Sequence, residues 1–125
     1  MTKEREIIFH GHYFKDFYIA VNDMVKEKIG YVFRVIKTVD KVSKKFLNQI
    51  EGTDGLYEIR VESGSNIYRI FCCFDKGNLV VLFNAFQKKT QKTPKQEIEL
   101  AEKLKKEYFT LKEKSNEKER SNKKR

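Results

Sequence analysis

Ten residues, Phe86-Gln87-Lys88-Lys89-Thr90-Gln91-Lys92-Thr93-Pro94-Lys95, carry four lysines between an apolar run at 79–86 and a well-signalled helix start. A lysine cluster at the mouth of a sheet is a place to hold a polyanion. Two arginines upstream, Arg60 and Arg69, add forked donors whose geometry suits phosphate. Together these residue types describe a site able to bind RNA and to stabilise a phosphorane. Glu58, two positions before Arg60, is a carboxylate able either to serve as general base or to pair with an arginine. The pairing is the commoner role for such a residue.

The segments that must position these groups can be read from period and punctuation. Ile7-Ile8-Phe9 is a short apolar run and a candidate first strand. Residues 13–20 are aromatic-rich and compatible with helix or strand. Asn22 or Asp23 can cap a helix, and Val21, Val25, Ile29, Val32, Ile36 and Val39 then recur at spacings of three and four. Ser43 is expected to cap a short helix through Phe46, Leu47 and Ile50. After the glycine-bearing turn at 51–55 come three strand-like runs, 56–62, 67–74 and 79–86. Two four-residue linkers of hairpin chemistry join them, which implies an antiparallel meander. Thr93 as N-cap, Pro94 at the first helical position and Gln96 completing a capping box start the last helix. Its apolar stripe is Ile98, Ala101, Leu104, Tyr108 and Leu111.

If each linker is a simple four-residue loop, Arg60 falls opposite Arg69, Phe74 opposite Leu79, and Arg69 opposite Asn84. Alternation then gives one core face with Tyr57, Ile59, Val61, Tyr68, Ile70, Cys72, Val81, Phe83 and Ala85. The other face carries Glu58, Arg60, Glu62, Ile67, Arg69, Phe71, Cys73, Leu82, Asn84 and Phe86, with Lys88 at its edge. Like charges directly across a strand pair repel, so an anion bridging Arg60 and Arg69 would rationalise them. Phe71 and Phe86 would offer rings to bases, and Asn84, Lys92 and Lys95 would complete the RNA-binding set. A carboxylate ladder of Glu58 and Glu62 is the plainer explanation of the same pattern.

The chain has 125 residues and a formal net charge of +9, which suits one basic domain. Residues 1–111 are expected to form it. Residues 112–125, with seven Lys/Arg and three Glu, are expected to be a flexible basic tail. Adjacent Cys72 and Cys73 point to opposite faces of a strand and are read as buried thiols, which fits a reducing cytoplasm. No carboxylate or Cys/His group has metal-ligand spacing, so neither metal nor cofactor is expected. No apolar run approaches a membrane span. His10 and His12 are expected to be ordinary edge residues.

Residues 55–60 (GLYEIR), Tyr68-Arg69-Ile70-Phe71 and the lysine segment 86–94 resemble the RelE/ParE toxin superfamily, with its HigB-like, phage-derived branch as the nearest match, over roughly residues 6–110. The resemblance implies a compact α+β domain: a mostly antiparallel sheet of an N-terminal strand and a three-strand meander, helices packed on one face, and a C-terminal helix. It implies the toxin of a type II toxin–antitoxin system, a cytoplasmic ribosome-dependent mRNA endoribonuclease. The implied partners are a helix-turn-helix, HigA-like antitoxin and mRNA on the ribosome, with operator DNA engaged only through the antitoxin. Carried over by position, Arg60 matches a basic residue of the active strand, Arg69 the arginine of the next, and Lys88 or Lys89 the basic residue after the last strand. Glu58 stands where the family has a lysine, and the tyrosine expected near the start of the last helix is missing. The general base is thereby left open. Two alternatives stand beside the nuclease: a ParE-like toxin that inhibits gyrase without chemistry, and a basic nucleic-acid-binding module.

Overall fold

A computed structural model describes residues 4–89 and 94–123, with side chains to Glu117. Among the described residues the order is β1 (Glu6–Phe9), α1 (Tyr13–Ala20), α2 (Asp23–Thr38), β2 (Leu47–Gln49), β3 (Tyr57–Ser63), β4 (Asn66–Asp75), β5 (Leu79–Lys88) and α3 (Lys95–Lys123). The strands form one α+β mixed sheet in the order β1-β5-β4-β3-β2. β1 runs parallel to β5, and the other pairs are antiparallel.

The aromatic segment 13–20 resolves as helix α1, which buries Phe14. Helix α2 begins at Asn22, whose side chain accepts a hydrogen bond from the Val25 amide at 3.0 Å. Its stripe of Val25, Ile29, Val32 and Ile36 packs with α1 on Ile59, Val61, Ile70, Cys72, Val80 and Leu82. At its far end Arg5 donates to the carbonyls of Ile36 and Val39, which the helix terminus leaves open, and to that of Asp40 just beyond it. Gly30 lies inside α2 at an expense of about 1 kcal/mol relative to alanine.

The short helix expected after Ser43 is a single turn followed by strand. The Ser43 carbonyl accepts from Phe46 and Leu47, and Leu47–Gln49 then pairs with Tyr57–Ile59. Three residues are too few to display a strand period.

The first hairpin has the expected register, with Glu62 opposite Ile67 and Arg60 opposite Arg69. The second does not. Its loop is three residues, with Gly77 and Asn78 at φ 74° and 67°, so Leu79 faces Asp75 and Val80 faces Phe74. This one-residue slip turns Val81 and Phe83 away from the α1/α2 face, and places Leu82 there instead. The register then shifts again between Cys72–Leu82 and Ile70–Ala85, where Phe83 and Asn84 together oppose Phe71 in a β-bulge. Arg69 is therefore opposite Phe86, not Asn84.

Helix α3 covers the second face of the sheet. Ala101 and Leu104 pack on Leu56, Phe71, Cys73, Val81 and Phe83, with Ile98 and Tyr108 beside them. Leu111, the last residue of the expected stripe, is exposed, and the helix continues to Lys123. The Pro94 carbonyl accepts from the amides of Glu97 and Ile98, so the helix starts where the proline signalled. Thr93, the expected cap, lies outside the described residues.

One buried polar cluster fastens α3. Tyr108 Oη and Lys112 Nζ donate to Asp75 Oδ2 at 2.8 and 2.7 Å. Burial opposes the Asp75 charge, but the hydrogen bonds from Lys112, Tyr108 and the Lys76 amide outweigh it and hold the carboxyl below its ordinary value. A carboxyl lowered by folding contributes stability above its unfolded pKa and loses it as pH falls through the folded value. Wild type is thus expected to lose its stability advantage over Asp75→Asn as pH is lowered from 7 past 4, read as urea midpoints. A constant difference across that range would remove Asp75 from the acid sensitivity.

Candidate nucleic-acid interface

Because α3 roofs the middle of its face, the arginine-bearing part is confined to the end of the sheet near the β3–β4 turn. There the Cα atoms of Arg60 and Arg69 are direct partners. Glu58 Oε2 accepts from Arg69 Nη1 at 2.6 Å, with the two side chains only 13% and 11% exposed. Glu58 therefore holds the Arg69 guanidinium in place. Arg60 is more open and shares Glu62 Oε1 through Nε and Nη2 at 3.1 and 2.9 Å. The carboxylate ladder and the arginine pair coexist, and each guanidinium is oriented by an acid on its own sheet face.

Lys88 ends β5, half-buried opposite Ile67. Lys89 and Lys95 are exposed on either side of residues 90–93, so both reach solvent near the sheet end. Lys92 lies outside the described residues. Phe86 is half-buried and meets Phe71 edge-on, ring centroids 5.3 Å apart at 70°.

Two residues of the expected RNA-binding set are placed elsewhere. Phe71 is fully buried beneath α3, so its ring has no face to offer a base. Asn84 is 2% exposed, and its Nδ2 donates to the Glu97 carbonyl at 3.0 Å and to Glu97 Oε2 at 2.8 Å. It ties the β5 bulge to the first turn of α3. Glu97 was not singled out by sequence, because the capping-box pattern draws attention to Gln96 beside it.

The histidines do not join the arginines. His10 Nε2 is 2.8 Å from Glu107 Oε1, and its ring meets Phe83 and Tyr108 edge-on, linking the end of β1 to α3. His12 pairs with Asp16 at 2.7 Å on an exposed turn of α1. Cys72 and Cys73 are free and buried, one in each core cluster. Burial raises the Cys72 thiol far above its usual range. It pushes Cys73 up to about 11, despite the opposing charge of Lys105. Neither is a thiolate at neutral pH, so neither is a nucleophile. Among the described residues no group of His, Cys, Asp and Glu could hold a metal, and no helix is long and apolar enough to cross a membrane.

Comparison with curated proteins finds no match. Among solved structures, the chain is similar to one described as the crystal structure of a RelB-RelE antitoxin-toxin complex from Methanococcus jannaschii. The identity is 18% and the TM-score 0.47, covering 63% of this chain and 87% of that one. A family model described as Phage derived protein Gp49-like (DUF891) matches residues 16–106, from α1 through most of the sheet-packed part of α3. The chain therefore belongs to the phage-derived Gp49-like family.

Proposed function

We propose that this protein is the toxin of a type II toxin–antitoxin pair of the HigB-like kind, a cytoplasmic endoribonuclease that cuts mRNA on the ribosome. The observation that carries the reading is the cross-strand pair Arg60–Arg69 at the unroofed end of the sheet, near Lys88 at the end of β5. In metal-independent cleavage the RNA 2′-oxygen attacks the adjacent phosphorus and the bond to the 5′-oxygen breaks. A proton leaves the 2′-hydroxyl and another reaches the 5′-oxygen. Arg60 and Arg69 stabilise the phosphorane by preorganised charge. Lys88 and Lys89 add charge or deliver the second proton. Glu58 keeps the Arg69 fork oriented. Alignment of the mRNA by the ribosome supplies the proximity that lets so few groups suffice. The partner is a helix-turn-helix antitoxin of the HigA-like type.

One observation favours a second reading. Both guanidiniums already carry carboxylates, Glu58 and Glu62, as they would on a surface that binds a protein target without chemistry, such as gyrase. The test is cleavage of a defined mRNA in a reconstituted translation system, with and without ribosomes, beside a supercoiling assay. Cuts that require ribosomes support the nuclease. Inhibited supercoiling with intact transcripts replaces it with the gyrase reading.

A further inference from the structure

Gly30 lies well inside α2, on its exposed side, and nothing among the described residues calls for glycine there. Its φ is not in the left-handed region, and apart from its own turn of helix backbone and its chain neighbours no described atom lies within 4 Å of where a Cβ would stand. Alanine would serve the helix better. Glycine leaves room for something from outside the chain to approach the helix backbone closely.

What surrounds Gly30 indicates what that is. A shallow hollow of about 530 Å³ runs over Glu27, Lys28, Gly30, Tyr31 and Arg34. It shares Lys28 and Tyr31 with a cleft of about 280 Å³, lined also by Lys45, Phe46, Arg60 and Glu62. This cleft lies beyond the Leu47 end of β2, which pairs only with Tyr57–Ile59. The Arg60 amide still donates to the Phe46 carbonyl at 2.9 Å, and among the described residues the outer edge of β3 has no strand partner from Val61 onward. Tyr31 stands between the two hollows, 50% exposed, with its ring edge-on to Phe46 at 6.1 Å. Four cations, Lys28, Arg34, Lys45 and Arg60, border these two adjoining hollows against two acids, Glu27 and Glu62. With Arg60 and Glu62 paired to each other, three cations stand against one acid.

We propose that these hollows together form a groove, a track for single-stranded RNA, with Tyr31 stacking on a base and Lys28, Arg34, Lys45 and Arg60 contacting phosphates. An aromatic platform among cations is the usual construction for a strand held without sequence readout. Arg60 lines the cleft at the unpaired edge of the sheet and also belongs to the cross-strand pair on the α3 face, so a strand passing over Gly30 and Tyr31 reaches the arginines by rounding that edge. The inference rests on the RNA reading of function, and it assigns the route of the strand outside the arginine site.

The test measures binding of a fluorescent single-stranded 2′-O-methyl oligonucleotide, which cannot be cleaved, to the full chain across a salt titration. Tyr31→Ala is expected to weaken binding about tenfold. Lys28→Gln and Arg34→Gln are each expected to lower the salt slope by about 0.7. Gly30→Ala provides the sharpest arm: it is expected to raise the thermal midpoint by about 4 °C and yet to weaken binding several-fold. Binding equal to wild type in both Gly30→Ala and Tyr31→Ala overturns the track. So does a wild type that ignores the oligonucleotide, whether or not it binds a glutamate-rich peptide. Ribosome-dependent cleavage is scored separately. Groove-dependent binding by a wild type that never cleaves keeps the track and sinks the nuclease. Cleavage by wild type with unaltered binding by the groove variants sinks the track alone.

Discussion

Arg69→Ala is expected to lower ribosome-dependent cleavage by about 10²–10³-fold, the usual consequence of removing one preorganised donor from a developing oxyanion. The same substitution is expected to cost about 3–5 kcal/mol of stability, because it strips the partner from a carboxylate that is itself mostly buried. Glu58 is 13% exposed and its Oε2 lies 2.6 Å from Arg69 Nη1. With the guanidinium gone, the charge of Glu58 remains in a poorly solvated place.

Loss of activity in that variant would therefore be ambiguous by itself. Glu58→Gln/Arg69→Gln separates the two effects. It removes both charges while leaving neutral groups able to hydrogen-bond each other, so most of the lost stability should return, read as the urea midpoint. Cleavage should not return, because the phosphorane still lacks its cation. A double variant that is stable and cuts at the wild-type rate would make the pair purely structural and end the role proposed for Arg69. Glu58→Gln alone adds a further distinction. If Glu58 only orients the arginine, its loss should slow cleavage without removing the acid limb of the pH–rate profile. Loss of that limb would identify Glu58 as the base.

How far these groups were legible in the sequence depended on what pins each strand. Helix α2 was legible because six apolar residues keep one period. The Arg60–Arg69 adjacency was legible because the linker at 63–66 fixes the first hairpin, whose strands alternate cleanly. The second hairpin offered neither support. Residues 79–83 of β5 are apolar without interruption, and in the fold they are buried on both faces, so no period of two distinguishes one register from the next. Only the loop could decide it, and Lys76-Gly77-Asn78 forms a three-residue loop because Asp75, turn-like in sequence, pairs with Leu79. The bulge at Phe83 and Asn84 restores the alternation, which is why Phe86 lies on the arginine face as expected, whereas Val81 and Phe83, expected on the α1/α2 face, lie on the arginine face with it. Strand β2 is too short to carry a pattern. The groove over Gly30 had a signal, a glycine inside an otherwise regular helical stripe, but in the sequence it counts only as a weakness of the helix.

Phe71 decides whether the second core is as closed as its packing indicates. Its ring is fully buried, against Phe86 and among Cys73, Val81, Phe83, Ala101 and Leu104. Phe71→Ala is expected to cost about 3–5 kcal/mol, the transfer term plus the cavity left under α3. That is a large share of the roughly 5–15 kcal/mol a domain has in total. Phe71→Leu refills most of the space and is expected to cost less than about 1.5 kcal/mol. A base-stacking residue would behave in the opposite way: alanine would leave stability nearly intact, and leucine would lose RNA affinity as fully as alanine. Urea midpoints and oligonucleotide binding for the two variants therefore separate the roles. Stable, poorly binding Phe71→Leu would mean that α3 lifts from the sheet when RNA binds. An unstable Phe71→Ala beside a normally binding Phe71→Leu would leave α3 fixed, with Asp75, Asn84 and His10 among its polar anchors, and would restrict the strand's access to the arginines to the open end of the sheet.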